Sequence, residues 1–296
     1  MNTRKDQFRL QACGQSDSGC LRESNEDAFY VSEQQGLFIV SDGMGGGQGG
    51  SLASALIVRT LPLQLSAEGL GRNLNQADLG PPAVTDTLIR AISVTNDLLL
   101  DSTRTHPEVA GLGATVVVGL YAGSGVFALA HLGDSRAYLL RAGYFQQLFT
   151  DHTMTEMLLQ RGHITRRQAR SHPGRHVLTC YIGKEDCPAA GTIRLSLEPG
   201  DRILLCTDGL TNMLNDRTIG TILLETEQRQ TACQLLIGSA NEAGGLDNVT
   251  VIIVDIGEPL PRQEHRPLVV RRTVGRPPVT TRRNPNLICG SPLRER

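Results

Sequence analysis

No two cysteines in this chain stand at CxxC spacing, and the seven present, at 13, 20, 180, 187, 206, 233 and 289, are odd in number and scattered. That pattern argues against a zinc site or a disulfide framework, and for reduced thiols in a cytoplasmic setting. Cys206, inside the run Ile203–Thr207, reads as plain core. An excess of one charge is missing as well. The net charge is −1 over 296 residues, which excludes binding of nucleic acid through the field of the whole molecule. The start, Met1-Asn-Thr-Arg-Lys-Asp-Gln7, lacks the apolar segment of a secretory signal. The most apolar stretch, Leu112 to Leu132, is broken by Gly119, Gly123 and Gly125 and reads as a hairpin, so no membrane span is expected. No internal repeat is visible.

What the chain does have is enough apolar residue, 40% of its length, to fill a substantial core. Two apolar runs close on Asp-Gly: Leu37-Phe-Ile-Val-Ser-Asp42-Gly43 and Ile203-Leu-Leu-Cys-Thr-Asp208-Gly209. A third, starting at Val126, ends on Gly133-Asp134, and a fourth acid, Asp247, just precedes the run Val249–Val254. Such runs read as buried strands. A carboxylate at the mouth of a buried strand is costly unless a proton, a cation or a partner neutralises it. Four of them point to one shared answer, a hard divalent cation held by oxygen ligands.

The glycine cluster Gly43-Met-Gly-Gly-Gly-Gln-Gly-Gly50 lies between a strand and a helix, and Gly45, Gly47 and Gly50 fit the dinucleotide pattern GxGxxG. Asp42 stands where a pyrophosphate would approach, no second strand follows the helix, and a Walker-type lysine is lacking. The glycines are better explained as a sharp turn that lets the Asp42 carboxylate and a main-chain carbonyl face one ion. In Arg22-Glu-Ser-Asn-Glu26-Asp27, read alone, the arginine and the adjacent acids are a surface ion pair. Beside Asp42 and Asp208 they gain a second reading: Arg22 offers a planar fork suited to phosphate, and Glu26 adds oxygen ligands.

Strand signals fall near 8–13, 28–32, 37–41, 114–121, 126–131, 136–141, 144–149, 192–197, 202–207 and 248–256. Short glycine-bearing turns at 34–36, 122–125, 141–143 and 198–200 favour antiparallel neighbours. Helical periodicity marks 51–61, 84–101 and 231–243, with 62–82 expected as a surface loop and 151–190 as an excursion with short helical pieces. Helices alternating with groups of hairpins predict an α+β arrangement of antiparallel sheets covered by helices. From Glu258 to Arg296, nine arginines stand against three acids among seven prolines, about +6, which leaves residues 1–257 near −7. This tail is expected to be disordered or loosely docked.

Six segments in this order resemble the metal-dependent protein Ser/Thr phosphatases of the PPM, or type 2C, family in its bacterial form. They are Arg22-x-x-Asn-Glu-Asp27, Ser41-Asp-Gly-Met-Gly-Gly46, Gly113-Ala-Thr115, His131-Leu-Gly-Asp-Ser-Arg136, Thr207-Asp-Gly209 and Asp247-Asn-Val-Thr250. The resemblance covers residues 8–257. It implies a four-layer α/β/β/α sandwich, two central antiparallel sheets flanked by helix pairs. It also implies two tightly bound Mn²⁺ or Mg²⁺ ions at one end, with a weaker third. Carried over, Asp42 bridges both metals and Gly43 offers its carbonyl; Asp208 and Asp247 hold one metal, Glu26 and Asp27 serve the other, and Asp134 the third. Arg22 matches the arginine that binds substrate phosphate. The implied activity is hydrolysis of phosphoserine and phosphothreonine in proteins by a hydroxide bridging the two metals, opposing a bacterial Ser/Thr kinase in the cytoplasm, with the enzyme a monomer.

Two departures stand out. Met44 occupies a position where many eukaryotic relatives carry a His proposed as general acid. Met cannot donate a proton, so good leaving groups such as phenyl phosphates are expected to be favoured. Asn212 replaces an acid near the third metal, which removes charge there. His131 is expected to be structural and Thr115 to shape the site. His152 and the arginines at 161, 166, 167, 170 and 175 lie where the family has a mobile flap. The rival from another class is a phosphatase-like binding or sensing module without turnover; the intact set Asp42, Asp208 and Asp247 argues against it. The tail arginines either solubilise a disordered end or attach to an anionic partner.

Overall fold

The computed structural model describes residues 8–45, 48–67, 81–105, 111–187 and 189–259. Gly46, Gly47, Cys289 and the tail from 260 onward lie outside the described residues.

Two antiparallel sheets form the centre. The first has the order β1 (Phe8–Asp17), β11 (Val249–Pro259), β10 (Arg202–Cys206), β7 (Arg136–Arg141), β8 (Tyr144–Gln147). The second has the order β2 (Asp27–Ser32), β3 (Leu37–Met44), β5 (Val116–Tyr121), β6 (Val126–Leu132), β9 (Gly191–Ser196), with the two-residue β4 (Gly113–Ala114) extending β3. The period-2 alternation of each central strand sorts its side chains between two cores, so both faces are apolar. Phe38 and Val40 of β3, and Ile203, Leu205, Ile252 and Val254 of β10 and β11, fill the layer between the sheets. Their neighbours Leu37 and Ile39 turn outward onto α1 (Gln48–Ala67) and α2 (Pro81–Thr105). Leu204, Cys206, Val251 and Ile253 turn outward onto α6 (Asp216–Glu225) and α7 (Arg229–Glu242). This is the expected α/β/β/α sandwich.

Three local expectations need correction. The segment 62–82 is not all loop: α1 runs on through Pro62 to Ala67 and α2 already begins at Pro81, because Leu61 and Leu65 continue the buried stripe of α1. The turn 198–200 does not join a hairpin. β9 pairs with β6 and β10 with β7 and β11, so this turn carries the chain from one sheet to the other. It is held by Arg141, which donates from Nε and Nη2 to the buried Asp201 carboxylate at 2.7 and 2.6 Å. Helix α6 was not anticipated; its start is capped by Asn215, whose side chain accepts from Thr218 N. The excursion 151–190 does carry short helices, α3 (Met154–Gln160) and α4 (Arg166–Arg170). Between β10 and α6 lies the single turn α5 (Asp208–Thr211). His131 is buried and stacks on Phe149 at 4.7 Å between ring centroids, a structural role; burial holds its imidazole down at about 3, so it is neutral. Cys206 is fully buried core.

Arg202 ties the second helix layer to its sheet. Its five N–H donors all find acceptors: Asp255 Oδ1 and Oδ2 at 2.7 and 3.0 Å, and the carbonyls of Leu223, Thr226 and Glu227 at 2.6–2.7 Å. Arg229 adds one more, part-buried bond to Asp255 at 3.0 Å. Arg202→Ala leaves a carboxylate and three helix-end carbonyls short of a donor and is expected to cost about 3–5 kcal/mol. Arg229→Ala is expected to cost no more than about 1 kcal/mol. Urea unfolding of both variants checks this, and equal losses would contradict the central role of Arg202.

Candidate active site

All of the acids singled out in the sequence come to one end of the sandwich. Asp42 sits on β3 and faces Asp27 across the β2–β3 ladder, where the two are register partners. Asp134 follows β6, on a turn whose Gly133 adopts φ +111 and would meet Thr115 if it carried a Cβ. Asp208 opens the single turn α5, and Asp247 precedes β11. Arg22, Glu26, Asp42, Gly43, Asp134, Asp208 and Asp247 line one cavity of about 990 Å³. Asp27 does not line it; it stands one row behind.

The backbone there leaves no room for a side chain on two glycines. A Cβ on Gly43 would lie 2.0 Å from Gly50 O and 2.6 Å from Glu26 O; one on Gly50 would lie 2.4 Å from Glu26 Oε2 and 2.7 Å from Gly43 O. Glycine at both places therefore brings the Glu26 carboxylate, the Gly43 carbonyl and the start of α1 together. Asn248 fixes the Glu26 backbone, accepting from Glu26 N at 2.8 Å while its amide donates to Ser18 O and Ser24 O at 2.9 Å. Thr115 locks β3 from the other side: its backbone N donates to Asp42 O at 2.9 Å and its Oγ1 accepts from Asp42 N at 3.1 Å.

Behind the cavity, hydroxyls hold Asp27. Its Oδ2 accepts from Thr207 Oγ1 at 2.8 Å and Thr250 Oγ1 at 2.6 Å. Thr250 Oγ1 also meets Ser16 Oγ at 2.7 Å, and Ser16 Oγ accepts from Asn25 at 2.8 Å. Thr207, Thr250 and Asn248 lie inside motifs already noted, yet sequence reasoning gave them no role; the signal was their place beside an acid. Gly50, Arg136 and Asp151 were also missed. Arg136 donates to both oxygens of Asp151 at 2.6–3.0 Å, closing the root of the 151–190 excursion against β7. His152 contributes there too, its Nδ1 accepting from Gly133 N at 3.2 Å.

The electrostatics are those of crowded, poorly solvated acids. Burial raises the pKa of Asp42 well above the carboxylate range, and repulsion from Asp208, Asp27, Asp134 and Asp247 adds to it. Burial likewise raises Asp134 and Asp208, with repulsion from neighbouring acids behind it, and brings Asp27 to about 7 against the help of its two threonines. Glu26 is raised by burial as well. Asp27 Oδ1 and Asp208 Oδ1 are buried with no hydrogen-bond partner among the described residues. Arg22 lowers Glu26 in part, and its Nη2 donates to Asp247 Oδ2 at 2.8 Å at the half-exposed rim, the ion pair that its motif suggests when read alone. Asn212 turns its amide donor, not its carbonyl, to Asp208 Oδ2 at 2.9 Å.

Among the described residues, no three His, Cys, Asp or Glu side chains stand close enough to cage an ion as they are; they line the cavity walls instead. The donor set is nonetheless all oxygen, strongly anionic, and includes buried carboxylate oxygens without a donor. That chemistry fits a hard divalent cation and does not fit zinc or copper. Of the flap arginines, 161, 166, 167 and 175 are exposed, and Arg175 reaches the cavity rim with His176; the Arg170 side chain lies outside the described set.

Comparison with known proteins agrees with this geometry. A family model described as protein phosphatase 2C matches residues 22–236. The serine/threonine protein phosphatase PstP of Mycobacterium tuberculosis is 34% identical over 247 residues, 83% of this chain and 45% of PstP. This chain thus spans less than half the length of that relative. Serine/threonine phosphatase stp of Listeria innocua is 32% identical over 243 residues, 81% of this chain and 93% of its own length. The crystal structure of the M. tuberculosis phosphatase superposes with a TM-score of 0.74 at 32% identity, covering 84% of this chain and 99% of that one. A structure of the PstP catalytic domain in complex with two manganese ions gives 0.72 at 31% identity, covering 85% of this chain and 100% of that one. With the family model covering well over half of its residues, the chain belongs to the protein phosphatase 2C family.

Proposed function

We propose that this chain is a metal-dependent protein phosphatase that removes phosphate from phosphoserine and phosphothreonine in protein substrates. What supports this is one observation: Glu26, Asp42, Asp134, Asp208 and Asp247, with Gly43 and Arg22, all line a single cavity in a phosphatase fold. Residues 8–259 act as the catalytic unit, two residues beyond the expected bound of 257, because β11 pairs with β1 as far as Pro259. The enzyme opposes a bacterial Ser/Thr kinase, works as a monomer and sits in the cytoplasm, where its cysteines, six of them free among the described residues, stay reduced.

The residues that would hold two Mn²⁺ or Mg²⁺ ions are Asp42, Gly43, Asp208, Asp247 and Glu26, with Asp27 supporting Glu26. Asp134 would serve a third. Bound there, the cations supply the charge that draws a water toward ionisation and offsets negative charge gathering on the phosphoryl oxygens. The chain's own residues do the rest. Arg22, half exposed and paired weakly at the rim, exchanges Asp247 for a phosphate oxygen at little cost and orients the group. The threonines 207 and 250 keep Asp27 fixed. Asn212, as a donor to Asp208, adds no negative charge toward Asp134, so the third position is the weakest. Met44 lines the cavity and gives up no proton, so substrates with good leaving groups are turned over fastest.

Hydrolysis of a phosphothreonine peptide by the purified chain, with Mn²⁺, Mg²⁺ or chelator, tests this directly. Release is expected with metal and not with chelator. Asp208→Ala is expected to lose more than the about 10–100-fold that removal of a supporting partner costs, and Arg22→Ala about tenfold or more in kcat/KM. No release by a folded protein that still binds Mn²⁺ would assign the binding-module role instead.

A second measurement follows from the raised carboxylates. Protons compete with a cation for Asp27, Asp42, Asp134 and Asp208, so cation uptake expels protons and tightens as pH rises. Each proton displaced adds about a tenfold gain in affinity per pH unit below the group's own pKa. Calorimetric Mn²⁺ titrations in buffers of different ionisation heat, between about pH 5.5 and 7.5, are expected to show both effects. Affinity flat with pH and without proton release would contradict the protonated-acid description.

A further inference from the structure

One apolar part of the cavity rim adjoins the acids. The turn 244–248 and the segment just after α5 present Leu246 and Met213, both of which line the cavity beside Asp208 and Asp247. Leu246 is 54% exposed, and Leu21, outside the cavity lining on the 18–24 turn that Cys20 N ties to Gly245 O, is 67% exposed. Met213 and Leu246 are neighbours: the point a Cβ on Gly244 would occupy lies 3.7 Å from Met213 Sδ and 3.8 Å from Leu246 Cδ2. With glycine there, at φ +135, the surface between the two side chains stays open.

The surface is rigidly mounted. Cys20 N donates to Gly245 O at 2.8 Å, Gly244 N to Asn241 O and Gly245 N to Ala240 O at 3.0 Å, and the Asn248 amide bonds both ends of the 18–24 turn. Each apolar residue is also the chain neighbour of a polar residue of the site: Leu21 of Arg22, Met213 of Asn212, Leu246 of Asp247. The apolar surface therefore begins one residue's length, about 3.8 Å, from Arg22, Asn212 and Asp247 of the site.

We propose that Leu246 and Met213, with Leu21 beside them, form a ledge that seats an aliphatic side chain flanking the phosphorylated residue of a peptide substrate. This selectivity rests on the phosphatase reading above. A side chain one or two positions from the phosphoresidue is at the right reach, because an extended peptide advances about 3.3–3.6 Å per residue. A second copy of the chain is a poor occupant, since three side chains fall far short of the roughly 1,000 Å² that a stable interface buries.

The test is a selectivity ratio. Two phosphothreonine peptides, identical except for Leu or Ala at the positions flanking the phosphoresidue, are turned over with Mn²⁺ by the full chain. The same assay is run on Leu246→Ser, on Leu21→Ser, and on Leu224→Ser, which removes an equally exposed leucine from α6, away from the cavity. The wild type is expected to favour the Leu peptide about five- to tenfold in kcat/KM, as partial burial of one aliphatic side chain allows. Leu246→Ser is expected to bring that ratio near one, Leu21→Ser to lower it, and Leu224→Ser to keep it. A ratio near one in the wild type, or one that survives Leu246→Ser, overturns the ledge. Self-association by sedimentation that Leu246→Ser abolishes assigns the surface to a second copy and overturns it too. Hydrolysis of neither peptide by the wild type overturns the phosphatase reading itself, and the ledge with it.

Discussion

Asp27 is the point at which the two sheets are pinned together. It belongs to β2 in one sheet, and its Oδ2 accepts from Thr207 and Thr250, which flank β10 and lie on β11 in the other. Directly across the ladder stands Asp42, a second acid. Like charges in opposed positions on neighbouring strands repel, and here burial removes the water that would soften the repulsion. The local design follows from easing that conflict. Hydroxyls from the far sheet donate to one carboxylate, the strand carrying the other is held by Thr115, and glycines at 43 and 50 let backbone approach where side chains would block it. The hydrogen-bond chain from Asn25 through Ser16 and Thr250 to Asp27 spreads the load over three segments, β1, the stretch 25–27 and the distant β11.

The site therefore sits where the fold is under greatest electrostatic strain, and that strain is tolerable because the apolar layers around it are so complete. Each central strand is buried on both faces, between the sheets and against a helix pair. Ionised acids oppose folding; anything that binds them in the folded chain alone supports it in proportion to its concentration over its dissociation constant. Stability and function are linked through the same five carboxylates.

Much of this was legible in the sequence. Strand positions followed from continuous Val, Ile and Leu runs, and the acids at their ends marked the site before any geometry was known. The failures share a cause. Turn 198–200 looked like a hairpin because a short Pro-Gly turn says nothing about which sheet the next strand joins; Arg141 and Asp201, 60 residues apart, decide it. Pro62 looked like a helix end, but Leu61 and Leu65 on the buried face outweigh one lost backbone bond. The cavity lining takes in Glu26 and not Asp27, whose hydroxyl partners Thr207 and Thr250 come from the other sheet and are invisible in the Glu26-Asp27 spacing. Spacing reports which residues share an element, not which long-range partner each will meet.

The pairing of Arg22 with Asp247 shows what such partners do to a functional reading. An arginine beside a cluster of acids has two uses, to neutralise a carboxylate or to meet a phosphate, and residue type alone does not separate them. The geometry reconciles the two. The pair lies at the rim, with side chains 52% and 32% exposed, where an ion pair is worth little and is easily exchanged. Deeper in the fold, the Arg202–Asp255 pair uses every donor and cannot open without leaving buried groups unpaired. The same residue types thus build a fixed strut in one place and an exchangeable contact in the other, and exposure separates them. The proposed function needs an arginine that can exchange its carboxylate for an anion, and the exposed, singly bonded pair of Arg22 is compatible with that exchange.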